Sequence, residues 1–177
     1  MILNLGCGNK KYPNSVGVDI SDRYKPDIVH DLNTFPYPFN SGEVDLVIMD
    51  NVLEHLDRPI QVMDEIHRML KPQGTIKVIV PYFRSRWAFI DPTHKTFYTV
   101  DSFAYYDPTH PFSSQFDYTN TRFNVNKIVF NESVPSPNLF KKLLVKLANK
   151  FPNWYENTLS TIVPLDDITF YLTKVQV

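Results

Sequence analysis

The sequence contains one cysteine, Cys7, and no apolar run of the about 18 residues that a membrane-spanning helix needs. A lone cysteine cannot form a disulfide within the chain, so we expect a cytoplasmic setting. No charged leader precedes an apolar stretch, so we also expect no secretory signal. The formal net charge of −1 provides no overall attraction to nucleic acid, and no nucleic-acid partner is expected.

The length and composition favour one domain. A chain of 177 residues with 43% hydrophobic residues can bury most of its apolar surface around a single core. The sequence also shows no internal repeat and no low-complexity segment. We therefore predict a single domain over residues 1–177.

Two strand endings near the N-terminus form the most informative pattern. The apolar run at 2–5 ends in the Gly-Cys-Gly loop at 6–8, and the apolar run at 16–18 ends in Asp19. Glycines let a ligand approach bare backbone, and a carboxylate can accept hydrogen bonds from both hydroxyls of a ribose. Neighbouring strands with these endings predict a nucleoside pocket.

The spacing after this loop argues against a dinucleotide cofactor. Lys11 stands where the dinucleotide fingerprint needs a third small residue, and Pro13 follows. Only seven residues separate Gly8 from Val16, which is too short for an ordinary helix. Without that helix there is no dipole to hold a pyrophosphate. S-adenosylmethionine has no phosphate, so it becomes the preferred cofactor.

Short apolar segments alternate with crossovers through the first half, which predicts a parallel sheet with ligands at the carboxyl ends of its strands. The clearest helix lies between the last two segments, with Asp57 as its N-cap, Pro59 in its first turn and Pro72 after its end. The predicted strands are 2–5, 16–19, 28–30, 44–49 and 75–80.

The second half of the sequence differs from the first in composition and in its hydrophobic pattern. Residues 82–122 are rich in aromatics and lack periodicity, which indicates an inserted lid with one short helix over Val100–Tyr106. Two alternating segments, 123–132 and 168–177, predict an antiparallel strand pair at one edge of the sheet. Between them Ser136-Pro137 is predicted to open a helix. Its leucines lie at 139, 143, 144 and 147, and its lysines at 141, 142, 146 and 150. These lysines are read as a solvated face, with attraction to an anionic substrate or membrane surface as the alternative.

Five blocks of the first half resemble the class I S-adenosylmethionine-dependent methyltransferases, specifically the small ones that begin Leu-Asn-Leu-Gly-Cys-Gly. The blocks occur in family order at 3–8, 16–20, 29–32, 44–56 and 69–75. The resemblance implies a Rossmann-like α/β fold with a mostly parallel sheet. Gln73 departs from it, because the family has a second glycine after Lys-Pro. The family's leading helix is missing and the first crossover helix is truncated, so something else must cover the open side of the cofactor.

The resemblance assigns cofactor contacts residue by residue. Asp19 is expected to bind the ribose diol, and Asp31 the adenine amino group with Leu32 packed on the ring. Asn51 matches a position at the methionine moiety, and His55 either orients its loop or takes part in catalysis. Cys7 is expected to be a small filler rather than a nucleophile. The predicted cofactor-binding residues are Gly6, Cys7, Gly8, Asp19, Ile20, Asp31, Leu32, Asn51 and His55.

The predicted catalytic residues lie in the insert. The segment 91–95, Asp-Pro-Thr-His-Lys, resembles a segment near the acceptor side of these methyltransferases, so His94 and Tyr98 are the candidates for proton transfer. A second Asp-Pro-Thr-His occurs at 107–110, and both copies also fit a plain turn. A metal site formed from Asp91, His94, Asp107 and His110 is an alternative, but we predict no metal.

The acceptor is constrained mainly by exclusion. Enzymes that methylate nucleobase amino groups resemble one another in an Asn/Asp-Pro-Pro-Tyr/Phe motif after the fourth strand, and this chain has Asp-Asn-Val-Leu at 50–53. We therefore expect a small-molecule or saccharide acceptor, and Arg84, Arg86 and Lys95 suggest that it is anionic. A non-catalytic S-adenosylmethionine-binding module is the alternative function. Either the aromatic insert or a second copy is expected to cover the cofactor, and the oligomeric state stays open.

Overall fold

A seven-stranded sheet forms the centre of the molecule. The computed structural model describes residues 1–116, 118–132, 134 and 138–176. The strand order is β3-β2-β1-β4-β5-β7-β6, with parallel pairing from β3 to β5 and antiparallel pairing of β7 with both β5 and β6. The strands are β1 Ile2–Leu5, β2 Ser15–Asp19, β3 Ile28–Val29, β4 Val44–Asp50, β5 Leu70–Pro81, β6 Phe123–Phe130 and β7 Asp167–Lys174.

Helices are short except for the two that pack along the sheet. Their bounds are α1 Pro59–Met69, α2 Trp87–Ile90, α3 Pro111–Gln115, α4 Leu139–Lys150 and α5 Pro152–Thr158. Single 3₁₀ turns occur at Asp22–Tyr24 and Leu53–His55. In the described part of the chain, no helix combines the length and apolar character that crossing a membrane requires.

The predicted sheet is confirmed in its main features. Five parallel strands lie where the apolar segments predicted them, and the antiparallel pair forms one edge. The first crossover is a loop from Gly6 to Asn14, as the short spacing required. The carboxyl ends of β1, β2 and β4 therefore meet at one edge of the sheet, which places Gly6, Asp19 and Asn51 near one another.

Helix α1 buries one apolar face in the hydrophobic core. Its apolar residues recur every three or four positions, and four of them are fully buried. Because Pro72 disfavours a helical conformation at Lys71, the chain becomes extended at Leu70 and enters β5 directly. The buried residues are Val62, Met63, Ile66 and Met69.

Two local predictions are wrong. Asp57 does not cap α1: Arg58 occupies the N-cap position without a side-chain hydrogen bond, and the Asp57 carboxylate instead accepts from Lys95 Nζ at 2.6 Å. Val100–Tyr106 is a series of turns rather than a helix, because its backbone hydrogen bonds join residues three apart. The predicted helix opening at Ser136-Pro137 lies outside the described residues.

The leucines of α4 do not form one buried face. Leu144 and Ala148 are buried, whereas Leu139, Leu143 and Leu147 are exposed. The helix thus contacts the sheet through a narrow strip and presents most of its apolar side chains to solvent.

Candidate active site

The glycine loop shapes a cavity of about 280 Å³ at the carboxyl ends of β1 and β2. Gly6 has a φ of +65°, and a Cβ there would lie 2.4 Å from Val52 Cγ2, so no other residue fits without displacing Val52. Gly8 has a φ of +48° and nothing within 4 Å of its Cβ direction. The predicted residues that line this cavity are Gly6, Asp19, Ile20, Asp31, Leu32, Asn51 and His55.

Asp19 is held rigidly at the rim of this cavity. Its Oδ2 accepts from Gly8 N at 2.8 Å and its Oδ1 accepts from Ser21 N at 2.9 Å. A carboxylate oxygen has two lone pairs, so each oxygen keeps one for a ligand. Because the backbone fixes its orientation, Asp19 can receive two hydroxyl groups without further ordering.

The other predicted contacts surround the same space. Asp31 Oδ1 accepts from Asn33 N at 2.9 Å, and Leu32 is buried beside it. Asn51 adopts a φ of +55° and donates from its side chain to Asp50 Oδ1 at 2.9 Å. Burial raises the pKa of the Cys7 thiol, with Asp19 adding to the effect. A protonated thiol is a poor nucleophile, in agreement with a filling role for Cys7.

A second cavity of about 500 Å³ adjoins the first and shares Asn51 and His55 with it. The insert closes its other side with Trp87, Asp91 and His94. Its walls carry many carboxyl groups, five among the described residues: Asp50, Glu54, Asp91, Asp166 and Asp167. The cavity is therefore acidic and lies beyond the end of β4.

Glu54 is the most unusual group in this cavity, and it is not among the site residues that the sequence predicted. Its side chain is 1% exposed, and both carboxyl oxygens lack a hydrogen-bond partner in the structure. Burial raises its pKa to about 8, with Asp50 and Asp91 contributing. Its backbone oxygen accepts from Lys95 N at 2.8 Å, which ties the insert to the loop after β4. The available signal was an acidic residue inside an otherwise apolar Val-Leu-Glu-His-Leu segment.

The hydrogen bonds of His94 determine which ring nitrogen carries its proton. Nδ1 lies 2.9 Å from the Ala88 carbonyl oxygen, which can only accept, so Nδ1 must donate. In the singly protonated ring Nε2 then has a free lone pair. It lies 4.0 Å from Glu54 Oε1, and the His94 side chain is 7% exposed. His94 is thus oriented as a proton acceptor beside a buried carboxyl group.

The Asp-Pro-Thr-His turn orients the second imidazole as well. Thr93 Oγ1 donates to Asp91 Oδ1 at 2.7 Å, so its oxygen must accept from His55 Nδ1 at 2.9 Å. The ring centroids of His55 and His94 are 4.6 Å apart. Burial lowers the pKa of His55, and His94 adds to this effect. The segment 91–94 is therefore a turn, and the same turn orients the His55 ring beside His94.

Tyr98 is not brought to this cavity. Its hydroxyl donates to the Leu53 carbonyl oxygen at 3.3 Å, and burial raises its pKa. It lines a third, apolar cavity of about 510 Å³ together with Phe97 and Tyr105. The geometry gives Tyr98 a structural role in attaching the insert rather than a place beside His94.

The second Asp-Pro-Thr-His copy has a different surrounding. Asp107 Oδ2 accepts from Val125 N at 3.0 Å, and His110 Nδ1 accepts from Phe112 N at the start of α3. This copy is a turn that fastens the insert to β6. The metal set of Asp91, His94, Asp107 and His110 is not assembled. Within the described ranges, the ligand atoms that cluster within 4.8 Å of one another belong to Glu54, His55 and His94.

The comparisons with known proteins agree with this geometry. Residues 3–78 match the family model described as a methyltransferase domain. The matched segment contains β1 to β4, α1 and most of β5, and so includes the glycine loop and Asp19. Over these residues the chain is similar to methyltransferase domains, in agreement with the resemblance of its five sequence blocks to the class I S-adenosylmethionine-dependent methyltransferases. This similarity supports S-adenosylmethionine as the cofactor.

Solved structures share the fold over the whole chain. A S-adenosylmethionine-dependent methyltransferase from Archaeoglobus fulgidus is 21% identical, with a TM-score of 0.59 over 98% of this chain and 85% of that chain. One from Mesorhizobium loti is 13% identical, with a TM-score of 0.60 over 98% and 90% of the two chains. No curated protein sequence matches this methyltransferase.

A third structure comes from a complex between the Haloferax volcanii Trm112 methyltransferase activator and a methyltransferase. The matching chain is 18% identical, with a TM-score of 0.61 over 99% of this chain and 82% of that chain. At these identities the structures establish the common fold, and the similarity to methyltransferase domains rests on the family match over residues 3–78.

Proposed function

We propose that this methyltransferase methylates a hydroxyl group of a small polyhydroxylated molecule or saccharide, and that His94 accepts the hydroxyl proton. The observation that carries the proposal is the free Nε2 of His94 in the cavity next to the glycine loop. S-adenosylmethionine supplies an activated methyl group, so the protein must mainly position the acceptor and remove its proton. A carboxylate acceptor would need no base, whereas a hydroxyl does.

The cofactor contacts expected from the sequence fit the first cavity. Asp19 offers two lone pairs at a fixed orientation for the ribose diol, and Asp31 lies beside the buried Leu32 at the adenine end. Asn51 lines both cavities, so the methionine end would point toward His94. Acidic walls around that end suit a sulfonium and an ammonium group.

The charge of the acceptor cavity argues against the anionic acceptor that the sequence suggested. Lys95 pairs with Asp57, and Arg84 stacks on Phe83 outside this cavity. Lys10 lies in the cavity but pairs with Asp50. Carboxylates repel an anion but accept hydrogen bonds from sugar hydroxyls, and the half-exposed Trp87 lines the cavity with the Arg86 guanidinium stacked on its ring at 4.9 Å. A neutral or cationic acceptor therefore fits better.

An acceptor screen with labelled S-adenosylmethionine tests this proposal. We expect transfer to a neutral or amino sugar, and a loss of roughly 10²- to 10⁴-fold in turnover for His94→Ala with unchanged affinity for S-adenosylhomocysteine. His110→Ala is the matched control, because it alters the second Asp-Pro-Thr-His copy far from the cavity. Full activity of His94→Ala on an identified acceptor would remove His94 as the base, and exclusive transfer to anionic acceptors would overturn the acceptor class.

A further inference from the structure

Helix α4 exposes an apolar face that no other part of the described chain covers. Leu139 is 82% exposed, Phe140 67% and Leu143 66%, and Leu147 lies beside them. At 3.6 residues per turn these four side chains fall within an arc of about 100°. We refer to Leu139, Phe140, Leu143 and Leu147 as the α4 apolar face. Solvent-exposed helices ordinarily carry polar residues in such an arc, so this face indicates a binding surface.

A row of lysines borders the α4 apolar face. Lys142, Lys146 and Lys150 follow one another at four-residue spacing and are exposed. They occupy an arc of about 80° that overlaps the edge of the apolar arc. The segment 138–151 contains no aspartate or glutamate, so α4 offers no counter-charge to these lysines. By contrast Lys141 turns inward and binds Asp166 Oδ2 at 2.8 Å.

We propose that α4 docks this methyltransferase on the surface of a membrane that contains anionic lipids. Such a surface matches both features of α4. The α4 apolar face enters the boundary between headgroups and acyl chains, while the lysines contact anionic headgroups. Trp154 on the adjoining α5 is 45% exposed and is the type of residue enriched at this boundary. The proposal concerns docking on one leaflet and is independent of the acceptor chemistry.

A second copy of the chain is the less suitable occupant. Pairing two α4 helices through their apolar faces would place both lysine rows at the border of the interface without a carboxylate on either helix. Like charges in such an arrangement repel each other, whereas an anionic lipid surface neutralises each row. Charge complementarity therefore favours an anionic lipid surface over a second copy of the chain.

Vesicle flotation with the full chain tests this proposal. We expect binding to vesicles of phosphatidylcholine mixed with phosphatidylglycerol, and binding at least tenfold weaker to phosphatidylcholine alone. Leu143→Ser should weaken binding by about tenfold, because it removes an apolar side chain from the inserted face. Lys146→Glu should weaken it by about fivefold or more and make it less sensitive to salt.

Two matched controls distinguish the α4 surface from general effects. Val29→Ser is the control for Leu143→Ser, because Val29 is an aliphatic residue that is 55% exposed outside α4. Lys25→Glu is the control for Lys146→Glu, because it changes the charge of an exposed lysine outside α4 by the same amount. Both should bind vesicles like the unaltered protein. Equal binding of the α4 variants and their controls would overturn the proposal, as would absence of binding to anionic vesicles. A dimer that Leu143→Ser converts to a monomer, without vesicle binding, would assign the face to a second copy.

Discussion

Residues 1–81 and the insert at 82–122 are built in different ways. The first region forms all five parallel strands and α1, with regular hydrogen bonding along the whole sheet. Among its described residues, 82–116 and 118–122, the insert contains two helices of four and five residues and one isolated bridge between Tyr82 and Tyr98. The first region forms the cavity at the glycine loop, whereas the second region supplies His94 and Trp87 to the adjoining cavity, which we propose binds the acceptor.

The insert nevertheless depends on the core rather than lying loosely over it. Tyr98, Val100, Phe103 and Tyr106 belong to the same buried cluster as the strands. The part that faces the acceptor cavity is limited to Trp87–His94. A region without regular secondary structure can thus be anchored by aromatic side chains, and only a portion of it is available to cover a ligand.

The largest expected effect is the pH dependence of stability that Glu54 causes at the point where the two regions meet. Below pH 4.5 the carboxyl is protonated in both folded and unfolded chains. Between pH 4.5 and 8 the unfolded chain releases a proton that the folded chain retains, so stability falls as the pH rises and the loss is complete above 8. The full effect is of order 4 kcal/mol.

Glu54→Gln should remove this contribution. The free energy of unfolding at pH 8 relative to pH 5 should therefore be higher in Glu54→Gln than in the unaltered protein, as measured by urea denaturation at both pH values. Asp167, whose pKa burial raises to about 6, contributes to both proteins and cancels in the comparison. An identical pH dependence of the two proteins would show that Glu54 is solvated or paired.

The second test isolates the cofactor side. Asp19→Ala should weaken S-adenosylhomocysteine binding by about 2–3 kcal/mol, the range for hydrogen bonds to a charged group. Asp27→Ala is the control, because Asp27 Oδ2 also accepts from a backbone amide, that of Gly17 at 2.7 Å, but does not line the cavity. Calorimetric titration measures both. Equal losses for the two variants would mean that Asp19 acts only on loop stability.

The third test separates anchoring from catalysis within the insert. Tyr98→Phe removes the hydroxyl bonded to the Leu53 carbonyl and should cost about 1 kcal/mol of stability with little change in turnover. Tyr106→Phe, in the same cavity, is the matched control. A loss of 100-fold or more in turnover for Tyr98→Phe alone would restore Tyr98 as a group that transfers a proton.

The smallest expected effect concerns the cover over the ligand. We expect S-adenosylhomocysteine to increase hydrogen-exchange protection at residues 87–94, because this segment borders the cavity that adjoins the glycine-loop cavity. Protection at residues 98–106 should stay unchanged. Protection spreading across the whole of 82–110 would support a lid that closes as one unit. An insert indifferent to the ligand, in a protein that sediments as a dimer, would favour cover by a second copy.

The sequence predicted the sheet well because β1, β2 and β4 are short segments whose apolar residues are largely buried. It also predicted the glycine loop and Asp19, because both lie where strands end and their geometry is local. It failed at Asp57, whose carboxylate binds the distant Lys95, and at Val100–Tyr106, where hydrogen bonds between residues three apart form turns in place of a helix. The sequence also did not predict that Leu139 and Leu143 are exposed, because helical spacing shows which residues share a face but not what packs against that face.

The amino-acid sequence by itself determined the positions of the parallel strands, the truncated first crossover and the edge of the sheet where the glycine loop lies, since these follow from local backbone geometry and short connections. Tertiary structure alone decided that Glu54 is buried without a partner, that Ala88 leaves Nε2 of His94 free and that Tyr98 faces another cavity. Burial and hydrogen-bond partners depend on residues far apart in the chain. A side chain acquires its ionisation and its orientation only after those residues have packed together.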